Sequence, residues 1–185
     1  REHRHRARPE EADEHVRRAL AAEPHHPLAL MFASELARQD GGLEESVALM
    51  RRAVQADPLS AAARINFAWL LFRAGEVEHA RAEAASLLEL YPGDASAASI
   101  LCVSLAASGR HADALAVDRR VPSADPARAQ CRALALAGLG QARDAQAALA
   151  GLAVSRDEEA ALQVAEYFAQ IGDFDRAFAW LDKAV

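Results

Sequence analysis

The sequence predicts an all-α protein, a right-handed α-solenoid of antiparallel helix pairs, and three observations carry that expectation. Prolines at Pro24, Pro58, Pro92 and Pro126 stand 34 residues apart. Glycines at Gly41, Gly75 and Gly109 keep the same interval, each with a small residue five places on, at Ser46, Ala80 and Ala114. The chain of 185 residues is 52% apolar yet only 5% aromatic, with alanine supplying much of the excess, which suits helices that cross closely. A period of this size is one helical hairpin that cannot bury its flanks alone, so successive hairpins stack.

The elements follow in order. Residues 1–24 read as a partial repeat, because Pro9 suits the first turn of a helix carrying Ala12, Val16, Ala19 and Leu20, with residues 1–8 continuing a missing helix or fraying. Three complete repeats cover 27–58, 61–92 and 95–122. In the second, Ser60 caps a helix from Ala61 to Ala74, Gly75 takes a left-handed turn, and a helix from Val77 to Leu90 stops at Pro92. Helical spacing puts Ala80, Ala84, Leu87 and Leu88 on its inner face. After Gly109 the interval shortens to 31 residues at Gly140 and 32 at Gly172, so the third linker is compressed. Asp125 and Pro126 read as a cap and first turn opening a fourth repeat over 126–152. Ser155 with Glu158 forms a capping box for a fifth over 156–185, with helices from Arg156 to Gln170 and Phe174 to Ala184.

Charge and cysteine usage narrow the function classes. The net charge of -6 is spread over mixed faces such as Glu76, Glu78, Arg81 and Glu83, so no basic stripe holds a phosphate backbone and nucleic acid is not an expected partner. Cys102 and Cys131 occur singly within predicted helices, without CxxC spacing or a histidine at ligand distance. They read as reduced packing residues. No apolar stretch approaches the roughly 20 residues that span a bilayer, and no charged start precedes an apolar block. The expectation is no membrane partner and a location left open with the cytoplasm favoured, for a piece that opens on Arg1 and reads as cut from a longer chain.

A 34-residue helix pair with small residues at the crossings, a turn glycine and a terminal Asp57-Pro58 resembles the tetratricopeptide repeat family over nearly the whole chain. The first helix of that family carries two bulky residues, a small one and an aromatic. Those places read Leu30, Ala33, Ser34, Ala37, then Arg64, Phe67, Ala68, Leu71, and in the fifth repeat Ala161, Val164, Ala165, Phe168. The small place holds, whereas Arg64 and Arg132 depart from the pattern. Asp57 to Ser60 and Gly172 to Leu181 are further similar to arrays beside bacterial winged-helix regulators, cyclases or kinases. That likeness implies, as an alternative, a regulatory or sensory arm of a larger signalling protein.

The family resemblance implies a concave groove lined by first helices, and hence a protein or peptide partner. Mapped here, that face holds Met31, Glu35 and Arg38, then Ile65, Asn66, Trp69, Phe72 and Arg73. It continues through Ser99, Ile100 and Val103, then Gln130 and Leu134, then Leu162, Gln163, Glu166 and Gln170. Trp69 and Phe72 lie three apart on one helix face, suited either to anchoring a peptide or to packing against the neighbouring repeat. Asn66 matches one place of the clamp by which some members grip a terminal carboxylate, but Met31, Glu35, Ser96 and Ile100 supply no positive charge beside it. Self-association through the end after Leu181 and Val185 is a further reading.

No catalytic, cofactor or metal site is expected. Gly138-Leu139-Gly140 begins like a dinucleotide loop, yet Arg143 stands where a third glycine is needed, so it reads as a helix end. His111 and Asp113 sit at a turn without an elbow serine. His25-His26, like His3 and His5, lacks a third ligand. Glu44-Glu45 and Glu158-Glu159 occupy first turns, where they complement the helix dipole. The chain therefore reads as a non-enzymatic interaction scaffold.

Overall fold

The computed structural model describes residues 3–120, 126–153 and 158–182, and within them eleven α-helices and no strand. They are α1 His3–Ala22, α2 Pro27–Gln39, α3 Leu43–Ala56, α4 Ala61–Arg73, α5 Val77–Leu90 and α6 Ala95–Ala107, followed by α7 His111–Arg120, α8 Pro126–Gly138, α9 Ala142–Ala153, α10 Glu158–Gln170 and α11 Phe174–Leu181. By contact they fall into two compact units, residues 1–83 and 84–185, with α5 crossing the boundary.

The pairing rests on repeated local chemistry. Each first helix ends on a glycine with positive φ, at Gly41, Gly75, Gly109, Gly140 and Gly172, all between 74° and 82°. The next residue then reaches back to the helix, as Glu76 N does to Leu71 O at 2.9 Å, while Gly75 N bonds Phe72 O at 3.1 Å. This double bond satisfies carbonyls that the helix end would leave orphaned. At the opposite ends side chains cap the exposed amides: Ser60 Oγ accepts from Ala63 N at 3.3 Å and Asp94 Oδ1 from Ala97 N at 2.7 Å. His26 caps α2 in the same way, its Nδ1 accepting from Ala29 N at 3.3 Å.

In the first unit α2 packs on α3 and α3 on α4. Where α2 and α3 cross, Ser34 and Ser46 are fully buried. Ser34 Oγ donates to Ser46 O at 2.8 Å and the hydroxyls meet at 2.9 Å, so both polar groups are satisfied by the crossing itself. Arg64, which replaces a bulky residue, is only 13% exposed and bonds Glu83 at 2.5 Å. The helix is thus closed by an ion pair and the arginine stem rather than by an aromatic.

α1 differs from expectation. It runs continuously from His3, so Pro9 lies inside the helix and not at its first turn. A proline removes one backbone bond, and the helix-favouring residues around it carry the chain through.

In the second unit α6 packs on α7 and α8, α8 on α9, and α10 on α8, α9 and α11. α6 is buried almost all round, from Ala97 to Ala106, because alanine and serine let its neighbours approach on several faces. Pro126 opens α8 as expected, while its cap Asp125 and the compressed linker 121–125 lie outside the described residues, as does the capping residue Ser155. Within the described residues α11 ends at Leu181, with Asp182 at its C-cap.

Two features of this unit correct the sequence reading. Cys102 and Cys131 are not reduced packing residues: they form a disulfide with Cα atoms 5.9 Å apart. The repeats bring the two single cysteines, one on α6 and one on α8, face to face. Asp118, Arg128 and Arg132 form an ion cluster in which Asp118 is 4% and Arg128 0% exposed. Arg128 Nε and Nη2 donate to Asp118 Oδ1 at 3.2 and 3.1 Å, and Nη2 also to Asp118 O at 2.6 Å, while Arg132 Nε reaches Oδ2 at 2.6 Å. The cluster ties the end of α7 to the start of α8.

Two outcomes follow from these elements. Gly75→Val should destabilise the first unit by about 1–3 kcal/mol, from backbone conformation alone, since a Cβ there meets nothing within 4 Å. Gly75→Asn, which tolerates this region, should cost clearly less, and equal urea midpoints for the two variants would contradict the turn. Asp118→Ala leaves Arg128 buried and unpaired and should cost about 3–5 kcal/mol. Thermal melts placing Asp118→Ala within 0.5 °C of the parent would rule that role out.

Candidate functional site

The first unit holds a cavity of about 440 Å³ between α2 and α4, floored by α3. Its floor is Ser34, Ser46, Met50 and Leu70, all buried. Met31 and Trp69 form half-buried walls, and the rim carries Leu28 and Phe32, 58% and 62% exposed, with Asn66, Glu35, Arg38 and Arg73. The 34-residue period makes this assembly, because it sets Met31 and Glu35 on one first helix in register with Ile65 and Trp69 on the next. Ile65 and Phe72 are half-buried and outside the cavity lining. Phe72 stands edge-to-face against Trp69 at 6.1 Å, which holds the indole in place while one of its sides stays open to the cavity.

Beside Leu28 and Phe32 the rim carries hydrogen-bonded polar groups. Arg38 donates to Glu35 from Nε at 2.8 Å and from Nη2 at 2.5 Å, and the Gln39 amide adds a bond at 2.9 Å. The Arg38 bonds, opposed by partial burial and helped by Gln39, bring the Glu35 carboxyl down to about 2. The cavity therefore offers a floor of Met50 and Leu70 beside two mutually bonded serines, with one pre-paired charge couple and Arg73 on its edge.

The mapped face is different in the second unit. Ser99, Ile100, Val103, Gln130 and Leu134 are all buried, between 0% and 8% exposed, so the continuous open face expected through them is absent there. Ser99 Oγ donates to Ala95 O at 2.9 Å, and Gln130 Nε2 to Glu166 Oε2 at 3.1 Å. An opening of about 590 Å³ lies instead toward the helix ends, where Ala106, Leu134, Ala137 and Gly138 meet Tyr167, Phe168 and Ile171. Arg176 stacks over the Phe168 ring at 4.4 Å and bonds Asp173 at 2.6 Å. Gly138 is not a nucleotide-loop glycine: a Cβ there would fall 2.2 Å from His111 Nε2, so the glycine makes room for the imidazole. Leu162 and Glu166 are exposed, and the side chains at 163 and 170 lie outside the described residues.

At the end of the chain Phe174, Phe178 and Leu181 are 59%, 64% and 40% exposed on α11, and Val185 lies outside the described residues. Among the described residues no three metal-ligating side chains converge, and no helix is long and apolar enough to cross a membrane. His26, a candidate ligand in sequence, serves as a helix cap.

Helix pairs closed by glycine turns and small crossing residues define an α-solenoid of helical repeats. The chain belongs to the tetratricopeptide repeat family, whose models match residues 37–102 and 1–61. No curated protein matches the sequence. Solved structures similar to it include a thermophilic TPR protein of Thermus thermophilus, with TM-score 0.66 and 23% identity over 85% of this chain and 89% of that one. PilW, a widely conserved type IV pilus biogenesis factor, has TM-score 0.70 and 20% identity over 97% and 86%. YrrB, a TPR protein with an unusual peptide-binding site, has TM-score 0.58 and 17% identity over 91% and 90%. Likeness at these identities establishes the fold, and the family's repeats generally mediate protein or peptide interactions.

Because the folded Glu35 carboxyl lies below the ordinary carboxylate value of about 4.3, its contribution to stability is complete above that value and lost as pH falls toward about 2. Glu35→Gln should therefore lose less stability than the parent between about pH 4.5 and 2. The effect should be small for so exposed a pair, and identical acid slopes in urea titrations would contradict the pairing.

Proposed function

We propose that this chain is a non-enzymatic protein-binding scaffold whose first unit takes a peptide or helix in the cavity around Trp69. The carrying observation is that cavity: a floor of Met50 and Leu70 beside Ser34 and Ser46, walled by Met31 and Trp69 and rimmed by Leu28 and Phe32 together with polar groups, within one helical unit. An indole held edge-on by Phe72 loses little side-chain freedom when a ligand covers it, which is what a binding anchor needs. Met31 and Met50 add adaptable thioether surface that conforms to different apolar side chains. Asn66 and Arg73 stand on the rim, where an amide can bond a peptide backbone and a guanidinium can meet an acidic group. The peptide-binding site named for YrrB supports the same use of the fold.

The test uses the chain as bait to isolate a partner, followed by titration of that purified partner. Trp69→Ala should weaken binding by about 2 kcal/mol, on the order of 30-fold, while the helical circular dichroism is unchanged. In a Trp180→Phe background the fluorescence of Trp69 should shift when the partner binds. Unaltered affinity in a folded Trp69→Ala protein would sink the anchor, and with it the assignment to this cavity.

A further inference from the structure

Cys102 occupies the small-residue crossing place of α6, where the other pairs carry Ser34, Ala68, Ala133 and Ala165. Its partner Cys131 lies on α8, the first helix of the following pair, and the two are joined with Cα atoms 5.9 Å apart, a spacing natural to a disulfide. Both side chains are 0% exposed. The bond closes a loop of 29 residues in sequence separation that contains all of α7 and the connection into α8. It does so at the place where the repeat interval drops from 34 to 31 residues, so the least regular junction of the chain is also its covalently closed one.

We infer that the Cys102–Cys131 disulfide is a permanent staple of the second unit, installed by a thiol–disulfide oxidant, and that the chain works in an oxidising compartment. Formation is an exchange with a disulfide such as oxidised glutathione. One cysteine thiolate attacks the oxidant's disulfide and releases the first glutathione thiol. The second cysteine thiolate attacks the resulting mixed disulfide, releases the second glutathione thiol and closes the protein bond. Two protein thiols are oxidised, one glutathione disulfide is reduced to two thiols, and the two cysteine protons are taken up by the departing thiolates. With both sulfurs buried, neither oxidant nor reductant reaches them in the closed unit, so exchange takes place before α6 and α8 seat together or when they part. Once made, the bond restricts the unfolded chain and is shielded in the folded one. Such bonds persist outside reducing cytosol, which sets this reading against the cytoplasm that the sequence reading favours.

The test is made on the whole chain, oxidised with glutathione disulfide and then unfolded and treated with iodoacetamide. No adduct should form before reduction and two after it, with an unreduced mass lower by two hydrogens. The reduced parent should melt lower by roughly 10 °C or more. The folded oxidised protein should also resist reduced glutathione until urea is added. Cys102→Ala/Cys131→Ala should melt near the reduced parent, and because that variant also loses packing, the reduced parent is the deciding comparison. Two alkylated cysteines in the glutathione-oxidised protein would overturn the proposal, as would equal melting of oxidised and reduced forms or rapid reduction of the bond in the folded state.

Discussion

Two helices approach each other most closely where the side chains between them are small. That constraint recurs at the packed pairs among the described residues. The crossing places hold Ser34 with Ser46, Cys102 with Ala114, Ala133 with Ala145 and Ala165 with Ala177, all essentially buried, and Ala68 on α4 and Ala80 on α5 are buried as well. The glycine turn serves the same end, since a left-handed residue brings the second helix straight back onto the first within two residues. A larger side chain at a crossing would push the helices apart and break the stacking of each pair on the next. The periodicity, the turns and the burial pattern all depend on this close approach.

What fills the space beside the crossings is less regular, and there charge replaces bulk. Arg64 stands where an aromatic or leucine would serve, and its stem packs while its head bonds Glu83. Asp118, Arg128 and Arg132 do comparable work between α7 and α8, at greater risk, because a buried ion pair repays its desolvation only when its geometry is complete. One nitrogen of Arg128, Nη1, is buried without a partner, so the cluster is not fully satisfied. The neighbouring disulfide holds the same junction by a bond that does not depend on that geometry.

This division explains what was legible in the sequence. Period, turn glycines and caps are local, and each is set by a few neighbouring residues: Ser60 and Gly75 could be assigned from their types and positions alone, and the structure places both as expected. Cooperation across repeats was not legible. Cys102 and Cys131 occupy different places within their repeats, and only the packing of α6 on α8 brings them together. Arg64 and Arg132 looked like defects in a pattern because their partners, Glu83 and Asp118, are respectively 19 and 14 residues away on other helices. Gly138 read as a helix end, as it is, but the histidine on α7 that its missing side chain makes room for was not legible.

The mapped positions could be placed on first helices from the sequence, but which of them stay open could not, and the volume of the surrounding side chains accounts for the difference. On α2 and α4 the mapped positions carry Met31, Glu35, Asn66, Trp69 and Arg73, which line the cavity. On α6 the corresponding residues are Ser99, Ile100 and Val103, on a helix whose alanines and serines let neighbours close in from several sides. The same periodic position therefore lines a cavity in the first unit and is core in the second. Periodicity alone assigns a face, and whether that face is open depends on the volume of the residues around it.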